Sequence, residues 1–472
     1  MATPRFTQLE TPLETPPAPT AVCAAIADSS HPVFLDSGMQ IGRFGDYSFV
    51  SCQPTLVLRS HGREVELIES GSTRRMEADP FQVLEEQLAA RKRERAGGPV
   101  PFTGGAVGYF AYDLGRLIER LPEDTVEDIG GPEMYLGFYD AVYAYDCRRR
   151  QGYLCGEPQS ASWAALEEAI AKLDAGADTA EGSKCPAGRS LRCNFTRGAY
   201  QDAVTRAINY IAAGDIFEVN LSQRFDCELL VEPWDLYRGL HAVNPAPFAA
   251  YLGFEGIQVV SSSPERFLRV SDGWAETRPI KGTRPRGSSP AQDEALAREL
   301  LASEKDRAEL MMVVDLERND LGRVCRFGTV RVPDLMVLET YPTVHHLVST
   351  VVGQLREDRT NVDLLRASFP GGSITGAPKV RSMEIIEELE PTRRGVYTGC
   401  IGYMGYDGEM DLNIVIRTIV CREGRAYFQV GGAVVADSDP AAEYTETLDK
   451  GRGLARGLGV EGEAPFNGAP DR

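Results

Sequence analysis

Several chemistries are excluded by what this chain does not contain. Its ten cysteines, at positions 23, 52, 147, 155, 185, 193, 227, 325, 400 and 421, form no Cys-x-x-Cys pair and no zinc-ligand spacing. They read as reduced thiols rather than a disulfide or metal framework. No run of about 18 apolar residues occurs, which argues against a membrane-spanning helix, and the opening MATPRFTQLETPLETPPAPT has no apolar signal core. A cytoplasmic location is therefore expected. The glycine-rich stretch 101–116 lacks the Gly-Lys-Ser/Thr ending of a phosphate loop. Positive charge is short as well, with 50 Lys and Arg against 69 Asp and Glu for a net charge of -19. That balance argues against a nucleic-acid binder or an anionic-membrane partner, and an anionic ligand would need a local cation cluster or a metal.

What remains is an ordinary globular composition, 43% hydrophobic and 25% charged over 472 residues, enough for two or three domains or one large sheet-rich unit. Strand-like runs occur at 33–35, 47–51, 55–59 and 64–68, and a helix is predicted over 80–91 with Phe81, Leu84 and Leu88 on one face. The Ala, Gly, Asp and Ser composition of 171–190 predicts a linker or surface excursion between an amino-terminal region, 1–170, and a second region, 191–460, with a tail at 461–472. Thr196 and Gly214 bracket an amphipathic run at Tyr200, Val204, Ala207, Ile208 and Ile211, which predicts a capped helix. Ser271-Asp272-Gly273 predicts a hairpin, and a single helix is expected from 290 through Lys305 toward Asp315.

The chemistry gathers around RPIKGTRPRG, 278–287, where Lys281 stands between a Pro-Ile strand end and a Gly-Thr turn. With an unperturbed pKa of roughly 10.4, a lysine is protonated and not nucleophilic. Burial disfavours the charge and exposes the lone pair, whereas a solvated lysine would be a loop cation or a carboxylate partner. Glu265 lies sixteen residues earlier, and the hairpin is expected to place both residues at the ends of adjacent strands. Asp306 with Glu309, and Glu443 with Glu446, form i, i+3 pairs that share a helical face. Such pairs are usually solvated, but four carboxylates facing one another across a cleft require a hard cation, for which Mg²⁺ is suited.

The ordered series Ser-Pro-Glu-Arg-Phe (263–267), Pro-Ile-Lys-Gly-Thr (279–283), Arg-Asn-Asp (318–320), Gly-Ala-Pro-Lys (376–379) and Glu-Tyr-x-Glu-Thr (443–447) resembles the chorismate-utilising enzymes of the anthranilate synthase component I family. The resemblance is dense over 195–450 and weak before Phe102. It implies an α+β fold of antiparallel β-sheets with peripheral helices around a central cleft. Anthranilate synthases read Pro-Ile-Ala-Gly-Thr where this chain has Lys281, so the resemblance is to the branch that aminates chorismate at C4 on the way to 4-aminobenzoate and folate. It implies Lys281 as covalent nucleophile, Glu265 as general acid for the C4 hydroxyl, and His346 beside the ring. Tyr397 and Arg417 would hold the enolpyruvyl carboxylate, with Thr283, Ser373, Gly432 and Lys450 as further substrate contacts. Asp306, Glu309, Glu443 and Glu446 would hold Mg²⁺, and a separate glutamine amidotransferase subunit would supply ammonia.

Alternatives are an anthranilate synthase component I and, from another class, a non-catalytic chorismate or tryptophan sensor. Stretches 34–38 and 101–116 resemble the family's amino-terminal region, which in relatives contains a tryptophan pocket; no regulatory ligand is assigned to them here. Three positions depart from the family pattern. Glu218 replaces the glutamine of most relatives in the amination branch, and the lysine of those that add water. Leu310 replaces His or Asn, and Ala433 replaces a glycine after Gly431-Gly432.

Overall fold

Apolar residues along the strands alternate in facing, and this period of two sets the layers of the molecule. Val33 and Val259 are buried with Phe49, Val107, Tyr109, Leu252 and Ile401, while their neighbours Phe34 and Val260 are buried with Trp234, Tyr237 and Phe428. The computed structural model describes residues 9–39, 45–95, 97–173, 185–186, 190–341 and 344–460. Its strands form two 12-stranded sheets, all of whose pairings are antiparallel. The cluster around Val33 and Val259 draws on both sheets and so lies between them. A third cluster, containing Leu56, Phe81, Leu84, Leu310, Leu347 and Leu365, packs helices on the far face of the second sheet. The order is therefore helices, sheet, sheet, helices, in agreement with the expected α+β class.

The first sheet runs through Leu9–Pro12, Gln151–Gly156, Ala141–Asp146, Tyr47–Ser51, Val33–Asp36, Phe248–Phe254, Ile257–Ser263, Thr418–Arg422, Arg425–Val434, Glu218–Glu228 and Arg192–Cys193. The second runs through Ile280–Pro285, Val344–Gln354, Trp274–Thr277, Arg266–Ser271, Met410–Ile414, Cys400–Gly405, Gly105–Phe110, Met134–Tyr139, Leu56–His61, Glu64–Glu69 and Ser72–Glu77. Each sheet thus joins a block of strands from before 171–190 to a block from after it, edge to edge. Most of 171–190 and all of 461–472 lie outside the described residues, as do residues 1–8.

Local signals account for several elements. Thr196 caps the helix Arg197–Ala213 by accepting from the Ala199 N–H, and Gly214 ends it with φ 84°. The helix Pro80–Ala90 is capped by Asp79 and buries Phe81 and Leu84. Asp272 and Gly273, with φ 50° and 74°, form the two-residue turn between Arg266–Ser271 and Trp274–Thr277. The ten cysteines are all free.

Two expectations are corrected. The single helix over 290–315 is two helices, Pro290–Ala302 and Glu304–Gly322. Ser303 closes the first with extended backbone and caps the second, its side chain accepting from the Asp306 N–H at 3.2 Å. The strands bearing Glu265 and Lys281 are also not neighbours. Trp274–Thr277 and Ile280–Pro285 both pair with Val344–Gln354, so Lys281 reaches the pocket through that third strand.

Ser303 thereby orients the turn that carries Asp306 and Glu309. The Ser303→Ala variant is expected to lose about 1 kcal/mol of unfolding free energy, measured by urea denaturation. An unchanged midpoint would mean that the cap does not hold this helix start.

Candidate active site

A cleft of about 840 Å³ opens between the sheets and is lined by residues from many separate segments, among them Glu265, Lys281, His346, Ser373, Tyr397 and Arg417. That volume is ample for a small organic acid. Local irregularity brings the groups to its wall. The pairing of Ile280–Pro285 with Val344–Gln354 shifts register between Lys281 and Thr283, and the intervening Gly282 has φ 76°. A Cβ on Gly282 would lie 2.9 Å from Asp306, so only glycine lets this bulge pass the start of the helix Glu304–Gly322.

Lys281 is 9% exposed, and its ammonium donates to Glu218 Oε1 at 2.5 Å. Burial by itself pushes the lysine pKa down, but the carboxylates of Glu218, Glu309 and Glu265 more than offset this and hold it above its ordinary value. This corrects the expectation that burial alone exposes the lone pair: the resting group is an ammonium in an ion pair. Glu265 behaves in the opposite way. Burial raises its carboxyl to about 7, against the opposing pull of a hydrogen bond from Ser373, the charge of Lys281 and the Ile280 N–H. The Ser373 hydroxyl donates to Glu265 Oε1 at 2.7 Å, so Ser373 touches the acid as well as lining the cleft.

His346 and Thr283 face one another, with His346 Nδ1 2.8 Å from Thr283 Oγ1. Burial lowers the His346 pKa to about 4, leaving the ring neutral. His345, on the opposite face of the same strand, is satisfied by Thr340 and by Asp293, each at 3.0 Å, and lies outside the cleft. Arg417 takes φ 53°, a conformation costly for a side-chain-bearing residue and concentrated at functional sites. Burial lowers its pKa, and among the described residues no carboxylate pairs with it. A desolvated guanidinium without an anion is ready to receive one. Beside it Tyr397 is held neutral, its pKa raised by burial to about 12.

The four acidic candidates come from two helices. Asp306, Glu309 and Glu446 line the cleft, and Glu443 lies behind them. Their present partners are cations and hydroxyls. Arg284 donates to Asp306 at 3.2 Å, Lys450 to Glu446 at 2.7 Å, and Ser438 to Glu443 at 2.7 Å, while Lys305 stands 3.9 Å from Glu309. Among the described residues, no three such side chains are grouped as a finished metal site. Even so, the buried oxygens Glu309 Oε1 and Glu443 Oε2 have no hydrogen-bond partner, and burial raises Glu309 to about 7 and Glu443 above its usual range. A Cβ on Gly432 would lie 3.2 Å from Glu443 Oε2 and 3.6 Å from Glu446 Oε1, so both carboxylates rest over that glycine. All-oxygen donors with orphaned atoms fit a hard cation. Leu310 is fully buried in the core and offers nothing to Glu309, and Ala433 sits within the strand Arg425–Val434 without a left-handed φ. Lys450 also donates to the Gly431 carbonyl at 3.0 Å.

Some contributors escaped sequence reasoning. Arg394 lines the cleft and is nearly fully buried, joining Glu390 at 2.7 Å and the carbonyls of Asn220 and Ile374 at 2.7 and 3.1 Å. Nothing in its local pattern announces that role. Lys379 of the Gly-Ala-Pro-Lys motif ties to Asp320 of the Arg-Asn-Asp motif at 2.7 Å, which gives both motifs a structural task.

Comparison with known proteins agrees with this geometry. Residues 42–456 match the family model described as chorismate binding enzyme. The chain is 43% identical over 427 residues to the aminodeoxychorismate synthase component 1 of Klebsiella aerogenes, covering 89% of this chain and 93% of that protein. It is 44% identical over 383 residues to the anthranilate synthase component 1 of Thermus thermophilus, covering 80% and 82%. Among solved structures, anthranilate synthase component I from Streptococcus pneumoniae superposes with a TM-score of 0.73 at 32% identity, covering 86% of this chain and 91% of that one.

Burial of Glu265 predicts a measurable linkage. Its folded pKa of about 7 exceeds the ordinary 4.5, so the folded state retains a proton that the unfolded chain has released, and stability contributed by this group falls as pH rises between those values. Glu265→Gln is expected to match the parent near pH 4.5 and to be more stable at pH 8 by up to about 3 kcal/mol. Denaturant unfolding at the two pH values checks this, and equal stability at pH 8 would contradict it.

Proposed function

The chain belongs to the chorismate-binding enzymes, and we propose that within this family it is component 1 of an aminodeoxychorismate synthase, which replaces the C4 hydroxyl of chorismate with an amino group. The carrying observation is the amine of Lys281 in the cleft wall beside Glu265, a carboxyl held near neutrality by burial. A lysine there has a purpose in C4 amination through a covalent intermediate, and none in direct amination at C2.

In this reading Lys281 Nζ, once neutral, bonds to C2 of chorismate while the double bonds shift and the C4 hydroxyl departs as water, taking the Glu265 proton. Ammonia then bonds to C4, the double bonds shift back, and the C2–Nζ bond breaks with its electron pair returning to Lys281. The new C4 ammonium returns a proton to Glu265, so the acid is regenerated. Splitting one difficult substitution into two allylic displacements is the gain from the covalent route. Ser373 orients the Glu265 carboxyl, and Arg417 with Tyr397 receives the enolpyruvyl carboxylate by paired hydrogen bonds. Asp306, Glu309, Glu443 and Glu446 are the residues that would hold Mg²⁺, whose charge would serve the ring carboxylate.

Ammonia would come from a separate glutamine amidotransferase subunit. Cys400, in the Thr-Gly-Cys-Ile-Gly stretch 398–402, is fully buried and burial raises its thiol pKa far above the usual value, which makes it a poor glutaminase nucleophile. The competing reading, anthranilate synthase component 1, draws on the comparable identity to the Thermus thermophilus enzyme.

Product analysis separates the two. Purified chain with chorismate, ammonium and Mg²⁺ is expected to yield aminodeoxychorismate without pyruvate, as read by mass spectrometry, and to lose turnover when the metal is removed. Anthranilate with pyruvate would overturn the proposal, and binding without turnover would favour a sensor.

A further inference from the structure

The covalent route leaves a proton unaccounted for. Lys281 rests as an ammonium and has to become an amine before it can bond to carbon. Three carboxyl groups surround it, from three elements. Glu265 precedes the strand Arg266–Ser271, Glu309 lies on the helix Glu304–Gly322, and Glu218 begins the strand Glu218–Glu228 of the other sheet. Glu446, on the helix Pro440–Gly457, also feels the lysine charge, and Lys305 stands beyond Glu309. Glu265 is committed as the proton donor to the leaving hydroxyl. Among the described residues, Glu218 is the carboxylate within hydrogen-bond reach of Lys281.

The setting of Glu218 is that of an acceptor with capacity to spare. It is 0% exposed and does not line the cleft, so it lies behind the lysine, away from substrate. Its Oε1 takes the Lys281 proton contact at 2.5 Å and a weaker one from Asn220 Nδ2 at 3.3 Å, and its Oε2 is buried without any partner. Its backbone is pinned by the Ser382 hydroxyl, which donates to the Glu218 carbonyl at 3.0 Å, and by pairing with Ala377. A fully buried carboxylate is costly, and a glutamine of the same shape would avoid much of that cost. A proton passed from Nζ to the carboxylate turns a buried ion pair into a buried neutral pair, a change favoured when substrate excludes water from the cleft.

We infer that Glu218 is the base that takes the Lys281 proton at the start of each turnover and returns it when the lysine is expelled. The step balances: Lys281 ammonium and Glu218 carboxylate become amine and carboxylic acid, and the reverse transfer restores both after the C2–Nζ bond breaks. The inference rests on the covalent reading above.

Glu218→Gln keeps the shape and a hydrogen-bond acceptor but not the base, so its Lys281 has to lose its proton to solvent. Steady-state rates of this variant and of the parent, measured with chorismate, ammonium and Mg²⁺ between about pH 5.5 and 7, give a ratio in which the titrations of Glu265 and Glu443 cancel. Glu309, raised in part by the Glu218 charge, titrates lower in the variant, which for a carboxylate ligand would make the ratio fall with pH, opposite to the climb expected from Lys281. The variant is expected to fall by roughly 10²-fold or more in kcat near pH 6 with KM little changed, and to regain about tenfold of the ratio per pH unit as pH rises. Glu218→Asp retains a carboxylate and is expected to lose rate without gaining that slope, and it carries the test should the glutamine variant fail to fold. A glutamine variant whose rate matches the parent at every pH, or an aspartate variant whose ratio climbs with pH, would overturn the assignment of Glu218. Lys281→Ala keeps the two failures apart: parental turnover there defeats the covalent reading itself, while an inactive Lys281→Ala beside an unaffected Glu218→Gln defeats only the proton acceptor.

Discussion

Crowding of acid in a water-poor cleft is the constraint on which the rest of the site depends. Glu218, Glu265, Glu309 and Glu443 are all largely removed from water, in a chain whose net charge is already -19. Buried carboxylates either find cations or take up protons. Both outcomes occur here. Glu218 finds Lys281 and Asp306 finds Arg284, while the exposed Glu446 pairs with Lys450. Glu265 and Glu309 are left under-compensated, and burial lifts each to about 7. In the proposed mechanism one surplus proton would serve as the acid for the leaving hydroxyl, and one surplus oxygen would offer a ligand position for a cation.

The two sheets hold opposite members of one of these pairs. Glu218 comes from the first sheet and Lys281 from the second, so the ion pair spans the seam between them. Arg394 forms a second buried ion pair with Glu390 while donating to Asn220 and Ile374 carbonyls on separate segments. Breaking one partner of such a buried pair leaves an uncompensated charge, which costs far more than the pair contributes. Among the described residues that line the cleft, Arg417 is the cation without a carboxylate partner, and it is the one proposed to receive an incoming anion.

Much of this was legible in the sequence where the cause is local. Thr196 and Gly214 mark helix ends through a side-chain oxygen and a left-handed residue, and Asp272-Gly273 marks a hairpin by its positive φ values. His346 was named by resemblance, and it is the structure's strand alternation that turns it to the cleft and His345 away. What was not legible is, with one local exception, long-range contact. That exception is the break at Ser303, which lies in a stretch, 291–315, with neither proline nor glycine and is marked by a serine cap. The Lys281 charge state depends on Glu218, 63 residues away on another sheet, and the Glu265 carboxyl, raised by burial, is hydrogen-bonded by Ser373, 108 residues away. Periodicity carries no information about such pairs. The departure of Glu218 from the family pattern was visible in sequence, but its consequence required the geometry.

The claim at the centre of this account is that Lys281 bonds to substrate carbon. The most direct measurement is rapid acid quench of the chain with chorismate and Mg²⁺, with ammonium withheld, followed by mass analysis of the peptide containing residue 281. The account predicts a peptide heavier by chorismate less one water, with the modification on Lys281 and its loss on adding ammonium. An unmodified Lys281 under conditions where ammonium restores full turnover would contradict it.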